Sequence, residues 1–85
     1  MSRLKKPKEC NAAYYEALSR NLVHYREQAG LTRREAAEKA GMLERDLWKL
    51  ERSAYEHPPY LPVLTRLSEV LGVELYQLLE REGQE

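Results

Sequence analysis

The chain has 85 residues and a formal net charge of zero, which taken alone argues against a nucleic-acid partner. The charge is unevenly divided, because residues 1–53 hold twelve Lys and Arg against eight acids, whereas residues 54–85 hold two against six. The length allows one small domain, the abundance of Leu, Ala, Glu, Arg and Lys favours helices, and the single cysteine, Cys10, excludes a disulfide framework and a thiolate metal site.

Residues 1–10 are predicted to form a flexible basic arm around Pro7. The arm is either a solvated tail or a segment that contacts phosphates through Arg3, Lys5, Lys6 and Lys8. No hydrophobic stretch follows it, as a signal peptide would require, and no apolar run approaches the length of a membrane span. We therefore expect a cytoplasmic protein.

A single domain is predicted over residues 11–82. Asn11 can cap the first helix, and Gly30 can end it, since glycine tolerates positive φ. Apolar side chains at helical spacing between these residues predict one buried stripe. The stripe consists of Tyr14, Leu18, Leu22, Tyr25 and Ala29.

The second helix is predicted to start at Thr32, because Thr32 and Glu35 have the spacing of a capping box. It ends at Gly41, and a third short helix then runs to about Arg52. Ala37, Gly41 and Leu47 supply the small residue, the turn and the apolar anchor that two crossing helices need. This spacing predicts a helix-turn-helix.

Residues 53–62 are predicted to be a loop, because two successive prolines bar a helix through Pro58. A fourth helix follows and ends at Gly72, and Glu74 opens a short fifth helix, "ELYQLLERE". The inner stripe of the fourth helix is Leu61, Leu64, Leu67, Val70 and Leu71. Residues 83–85 are expected to fray.

The segments "LSRNLVHYREQAGLTRREAAEKAG", "LWKLER" and "PYLPVLTRLSEVLGVELYQLL" resemble the Cro and lambda-repressor-type helix-turn-helix family of phage and bacterial regulators. The resemblance implies an all-α fold, a compact five-helix bundle with a lambda-repressor-like DNA-binding domain. It also implies a repressor that binds double-stranded DNA as a homodimer. By the same resemblance, the fifth helix with Tyr76 is expected to form the dimer face.

In the family, the third helix lies in the major groove. Carried over residue by residue, the base-facing positions are Glu44, Arg45 and Lys49. The phosphate-facing positions are Arg33, Arg34 and Arg52, with Arg33 where the family usually has Gln. The family uses the acid at Glu51 structurally, so we expect Glu51 to bond within the domain.

Further departures from the family lie in and beside the third helix. Leu43 stands where Ser or Thr usually caps the third helix, and it can contact a thymine methyl or a protein partner. Trp48 takes a usually small or polar place and can flank phosphates, pack on Tyr55 and Tyr60, or form an interface. Glu44 and Asp46 oppose phosphates, yet both suit the positive end of the helix dipole, where Asp46 can stand in for the missing cap.

A protein-interaction module or an antitoxin-like partner is the alternative function, with Leu43 and Trp48 as the contact residues. An enzyme is not expected, because His24 and His57 stand alone without paired carboxylates or cysteines. The same observation argues against a metal site, and no cofactor or small-molecule ligand is expected.

Overall fold

The computed structural model describes the backbone of residues 7–52 and 59–81, with side chains from residue 14 onward in those ranges. The described ranges form five helices and contain no strand. The helices are α1 (Pro7–Gln28), α2 (Arg33–Ala40), α3 (Glu44–Glu51), α4 (Leu61–Leu71) and α5 (Leu75–Leu79). The prediction of an all-α bundle of five helices is confirmed.

The start of α1 differs from the sequence prediction. The helix begins at Pro7 and not at Asn11, so Lys8, which was assigned to the flexible arm, lies in the first turn of α1. Proline is common at the first helical position, because the missing N–H has no partner there in any case. The predicted arm residues before Pro7, with Arg3, Lys5 and Lys6, lie outside the described residues.

The ends of α2 follow the predicted local signals. The Thr32 hydroxyl accepts from the Glu35 N–H at 3.0 Å, and the Glu35 carboxylate accepts from the Thr32 N–H at 2.9 Å, which confirms the capping box. Gly41 ends the helix with φ +71° in the left-handed region, where residues with a Cβ are strained. This geometry sets the turn between α2 and α3.

The core is made of small and leucine side chains from α1 to α5. The buried apolar residues are Ala17, Leu18, Leu22, Ala36, Ala37, Ala40, Leu47, Leu50, Leu64, Leu67, Leu71 and Leu78. Three predicted core positions are wrong, since Tyr14 is 41% exposed, Leu61 is 60% exposed and Ala29 is also exposed. All three belong to predicted apolar stripes, yet Leu61 is the first residue of α4 and Ala29 follows the end of α1 at Gln28.

Side chains on α1 and α4 bond to carbonyls at the ends of other helices. The Ser19 hydroxyl donates to Leu50 O at 2.6 Å, and Arg66 Nε donates to Ala40 O at 2.8 Å. The Asn21 amide donates to Leu78 O and to the Glu80 carbonyl, both at 2.9 Å. Carbonyls at the end of a helix lack the regular intrahelical donors, and these side chains bond to them instead.

The fifth helix is shorter than predicted. It ends at Leu79, and Glu80 is extended, so the predicted continuation through Glu82 is wrong as far as the structure describes it. The Asn21 amide occupies the carbonyl oxygen of Leu78, which a longer helix would use for its own ladder. None of the helices in the described part of the chain is long and apolar enough to cross a bilayer.

Candidate nucleic-acid interface

The outer face of α3 is polar and exposed, because its inner face is anchored by two buried leucines. Leu47 and Leu50 are 1% and 6% exposed, and they pack with the buried alanines of α2. Residues on the remaining sides of the helix are left in solvent. The exposed residues of α3 are Glu44, Arg45, Asp46, Trp48 and Lys49.

A buried carboxylate joins α3 to α1 and α2. The Glu51 side chain is 3% exposed and accepts from Arg26 Nε at 2.7 Å and Arg26 Nη2 at 3.2 Å. Its Oε1 also accepts from Arg33 Nε at 3.1 Å. A buried charge requires such partners, and the expectation that Glu51 bonds within the domain is confirmed.

Arg33 has a second role that the sequence did not reveal. Its side chain is 32% exposed, so the guanidinium is partly in solvent although Nε faces Glu51. Only Nε bonds to Glu51, and in the described ranges the two terminal nitrogens have no hydrogen-bond partner. The internal bond therefore orients the group while two nitrogens stay available for an external anion.

A small open groove lies between α2 and α3. It has a volume of about 310 Å³ and is lined by Arg33, Glu44, Arg45 and Trp48. The fold thus brings together three residues that the sequence predicts at the interface, and it adds Trp48 to them. Arg34 and Lys49 do not line this groove, and both are exposed on their helices.

Trp48 lies on the same side of α3. Its side chain is 40% exposed, and the Arg52 guanidinium carbon is 4.9 Å from the centroid of the indole. Tyr60, one of the two tyrosines predicted to cover Trp48, is itself 75% exposed and has little surface left for packing. The other, Tyr55, lies outside the described residues.

The first turn of α3 combines acids with an uncapped end. Leu43 occupies the N-cap, makes no side-chain cap and is 57% exposed. Glu44 and Asp46 lie in the first turn, where a negative charge is favourable. On α2, Arg34 Nε is 3.6 Å from a Glu38 carboxylate oxygen, and both side chains are largely in solvent, so the pair leaves Arg34 accessible.

A second and larger groove lies between α1 and α5. It has a volume of about 890 Å³, and its rim carries Tyr14 and Tyr76, which are 41% and 63% exposed. The Arg81 guanidinium carbon lies 4.9 Å from the centroid of the Tyr14 ring. Neither groove holds a cluster of metal-ligating side chains among the residues described.

Comparisons with known proteins agree with this architecture. A family profile described as a helix-turn-helix domain matches residues 17–80. SinR, the master regulator for biofilm formation, solved in complex with DNA, is 32% identical over 74% of this chain and 98% of that chain, with a TM-score of 0.69. SinR is a protein of Bacillus subtilis.

Two further solved structures are similar. The clp gene regulator ClgR from Corynebacterium glutamicum is 30% identical over 78% of this chain and 82% of that chain, with a TM-score of 0.71. The hypothetical transcription factor NHTF from Neisseria is 22% identical over 96% of this chain and 87% of that chain, with a TM-score of 0.77, and it supports the fold alone. No curated protein matches significantly.

The helix-turn-helix profile covers most of the chain, and the chain spans nearly the whole of the SinR structure at 32% identity. The resemblance predicted from the sequence is therefore confirmed. The chain belongs to the helix-turn-helix domain family, of the Cro and lambda-repressor type.

Proposed function

We propose that the chain is a sequence-specific DNA-binding transcription regulator that inserts α3 into the major groove and acts as a repressor. The observation that carries the proposal is the groove lined by Arg33, Glu44 and Arg45, beside the exposed face of a helix whose other face is locked in the core. SinR, which shares the fold at 32% identity, was solved bound to DNA.

The exposed residues of α3 have the chemistry to read bases. Arg45 and Lys49 can each donate to O6 and N7 of a guanine, and Glu44 can accept from the amino group of a cytosine. The acids at positions 44 and 46 oppose nearby phosphates, so they weaken the binding of every DNA sequence alike. This balance fits a regulator that selects its site, because attraction to DNA in general is weak at zero net charge.

Phosphate contacts are assigned to Arg33, Arg34 and Arg52. The protein is proposed to act in the cytoplasm, on the nucleoid, as a homodimer on a palindromic operator with half-sites about 34–36 Å apart.

The test is selection of binding sites from random DNA, followed by affinity measurements at two salt concentrations. Arg45→Ala should relax the preference at one base pair and cost about 1–3 kcal/mol on the selected site. Arg34→Ala, a matched change on the exposed side of α2, should weaken all sequences alike and reduce the salt slope by about 1. Equal binding by wild type and both variants would refute the proposed interface.

The exposed Leu43 favours a second candidate, an interaction module that binds a protein in the manner of an antitoxin. A leucine that is 57% exposed at the N-cap of α3 adds apolar surface to a face that also includes Trp48. This candidate predicts a stable protein complex that Leu43→Ser weakens, without salt-dependent DNA binding. The DNA selection above separates the two candidates.

A further inference from the structure

Trp48 is the chain's only tryptophan, and it lines the groove between α2 and α3. Large aromatic side chains contribute most when buried, yet this indole is 40% exposed on the face that carries Glu44 and Arg45. Core packing therefore does not explain why a tryptophan stands at this position.

The described contact of the indole is with Arg52, one helical turn further along α3. The guanidinium carbon lies 4.9 Å from the ring centroid, which is the geometry of a cation–π pair. A guanidinium that stacks by its face keeps its N–H donors in the plane, directed outward. Arg52 is exposed and forms the C-cap of α3, and among the described residues its guanidinium has no hydrogen-bond partner.

We propose that Trp48 is a positioning residue that holds the Arg52 guanidinium in place for one phosphate of the DNA backbone; this rests on the proposed DNA-binding function. Arg33 provides the parallel case, because Glu51 holds it through Nε and leaves its terminal nitrogens available. Each arginine thus has a partner within the domain that holds its guanidinium. Such orientation before binding reduces the side-chain entropy that is lost when the contact forms.

The experiment is a double-mutant cycle of Trp48→Leu and Arg52→Ala, with dissociation constants measured on one selected DNA site from 50 to 200 mM salt. Losing one phosphate contact should weaken binding about 15-fold at 50 mM and about 4-fold at 200 mM, as counterion release requires. Arg52→Ala should show this loss in full, and Trp48→Leu should show a smaller loss, because the arginine stays but is no longer held by the indole. The double variant should bind like Arg52→Ala and not show the product of two losses, because Trp48 acts only through Arg52.

Trp48→Tyr is the conservative variant, since a phenol ring can still stack on the guanidinium, and it should restore the salt slope of the wild type. Thermal unfolding of each variant checks that the fold is intact. An Arg52→Ala variant that binds like wild type would overturn the inference even if the leucine variant is unstable. Additive losses would mean that Trp48 contacts DNA itself. Wild-type binding by Trp48→Leu would mean that Trp48 does not contribute to binding. Either result overturns the positioning role of Trp48 but leaves the proposed DNA-binding function intact. A wild-type protein that binds no DNA would overturn the proposed function and this inference together.

Discussion

Glu51 links three helices through one buried carboxylate. Its partners, Arg26 on α1 and Arg33 on α2, both donate through Nε, and the carboxylate is almost fully out of solvent. Replacing Glu51 with Gln keeps the shape but leaves the two guanidinium groups without a counter-charge. We expect the free energy of unfolding to fall by about 3 kcal/mol, measured by urea denaturation.

Arg34→Ala is the matched control for this prediction. It removes another arginine–glutamate pair on α2, the one between Arg34 and Glu38, in which both side chains are mostly exposed. Solvent screens such a pair, so the loss should be about 0.5 kcal/mol or less. A Glu51→Gln variant that loses no more stability than Arg34→Ala would show that burial adds nothing to the network.

The sequence predicted the location of this network but not its partners. The family resemblance indicated that Glu51 bonds within the domain. It could not identify Arg26, which is 25 positions away along the chain, or show that Arg33 bonds inward through Nε. Such pairings depend on how the helices cross, and helix periodicity carries no information on which distant side chains meet.

At the scale of the helix, α3 lacks a side-chain cap. Leu43 already has the extended backbone of an N-cap, with φ −77° and ψ 144°, and its side chain is 57% exposed. A serine there can accept from a free N–H of the first turn without loss of core packing. Leu43→Ser should therefore raise the free energy of unfolding by about 1 kcal/mol.

Leu43→Ala provides the comparison, because it removes the same exposed side chain but offers no oxygen. Thermal and urea unfolding of the two variants isolate the effect of the cap. Equal stability of the serine and alanine variants would mean that the backbone N–H groups in the first turn of α3 already have a partner, for example Asp46.

The capping box of α2 makes part of the stability depend on pH. Hydrogen bonds from the backbone and the hydroxyl of Thr32 hold the pKa of Glu35 below its ordinary value of 4.5. The folded state therefore binds this proton less readily than the unfolded chain does. The stabilisation is complete above about pH 4.5 and is lost as the pH falls through the lowered pKa.

Glu35→Gln tests this dependence, since glutamine can complete a capping box but does not titrate. The stability difference between wild type and variant should favour wild type more at pH 7 than at pH 3, measured by urea unfolding. All other carboxylates titrate in both proteins and cancel in the comparison. A difference that is the same at both pH values would exclude the titration of Glu35 as a source of stability.

Helix ends were predictable where a local signal sets them. The Thr32 and Glu35 spacing and Gly41 gave both ends of α2 correctly, because caps depend on residues within one turn. The start of α1 was missed, since Pro7 fits a helix as well as an extended arm. The end of α5 was missed because Asn21, which bonds to its carbonyls, comes from a distant part of the chain.

At the scale of the molecule, the two grooves lie against different helices. One lies between α2 and α3 and is lined by three of the proposed DNA contacts, Arg33, Glu44 and Arg45, while the larger lies between α1 and α5. A dimer formed through α5 leaves α3 of each subunit available, as binding to two half-sites requires. The exposed Tyr76 on α5 supports this face, although the sequence suggested it by family analogy only.

Placing a charge on this face should separate the subunits. Tyr76 is 63% exposed, so Tyr76→Glu should leave the monomer folded while burying a carboxylate in any contact through α5. We expect sedimentation equilibrium to show a shift from dimer to monomer. Affinity for DNA with two half-sites should fall to that for a single half-site, because the second contact is then no longer intramolecular.

Tyr60→Glu is the control for this prediction, since Tyr60 is 75% exposed at the N-cap of α4 and receives the same charge. It should leave the oligomeric state unchanged. If the Tyr76→Glu protein remains dimeric, the contact between subunits does not include Tyr76. If the wild-type protein is a monomer at the concentrations at which it binds DNA, cooperation between half-sites must arise on the DNA. The ratio of the affinities for DNA with one and with two half-sites then measures this cooperation directly.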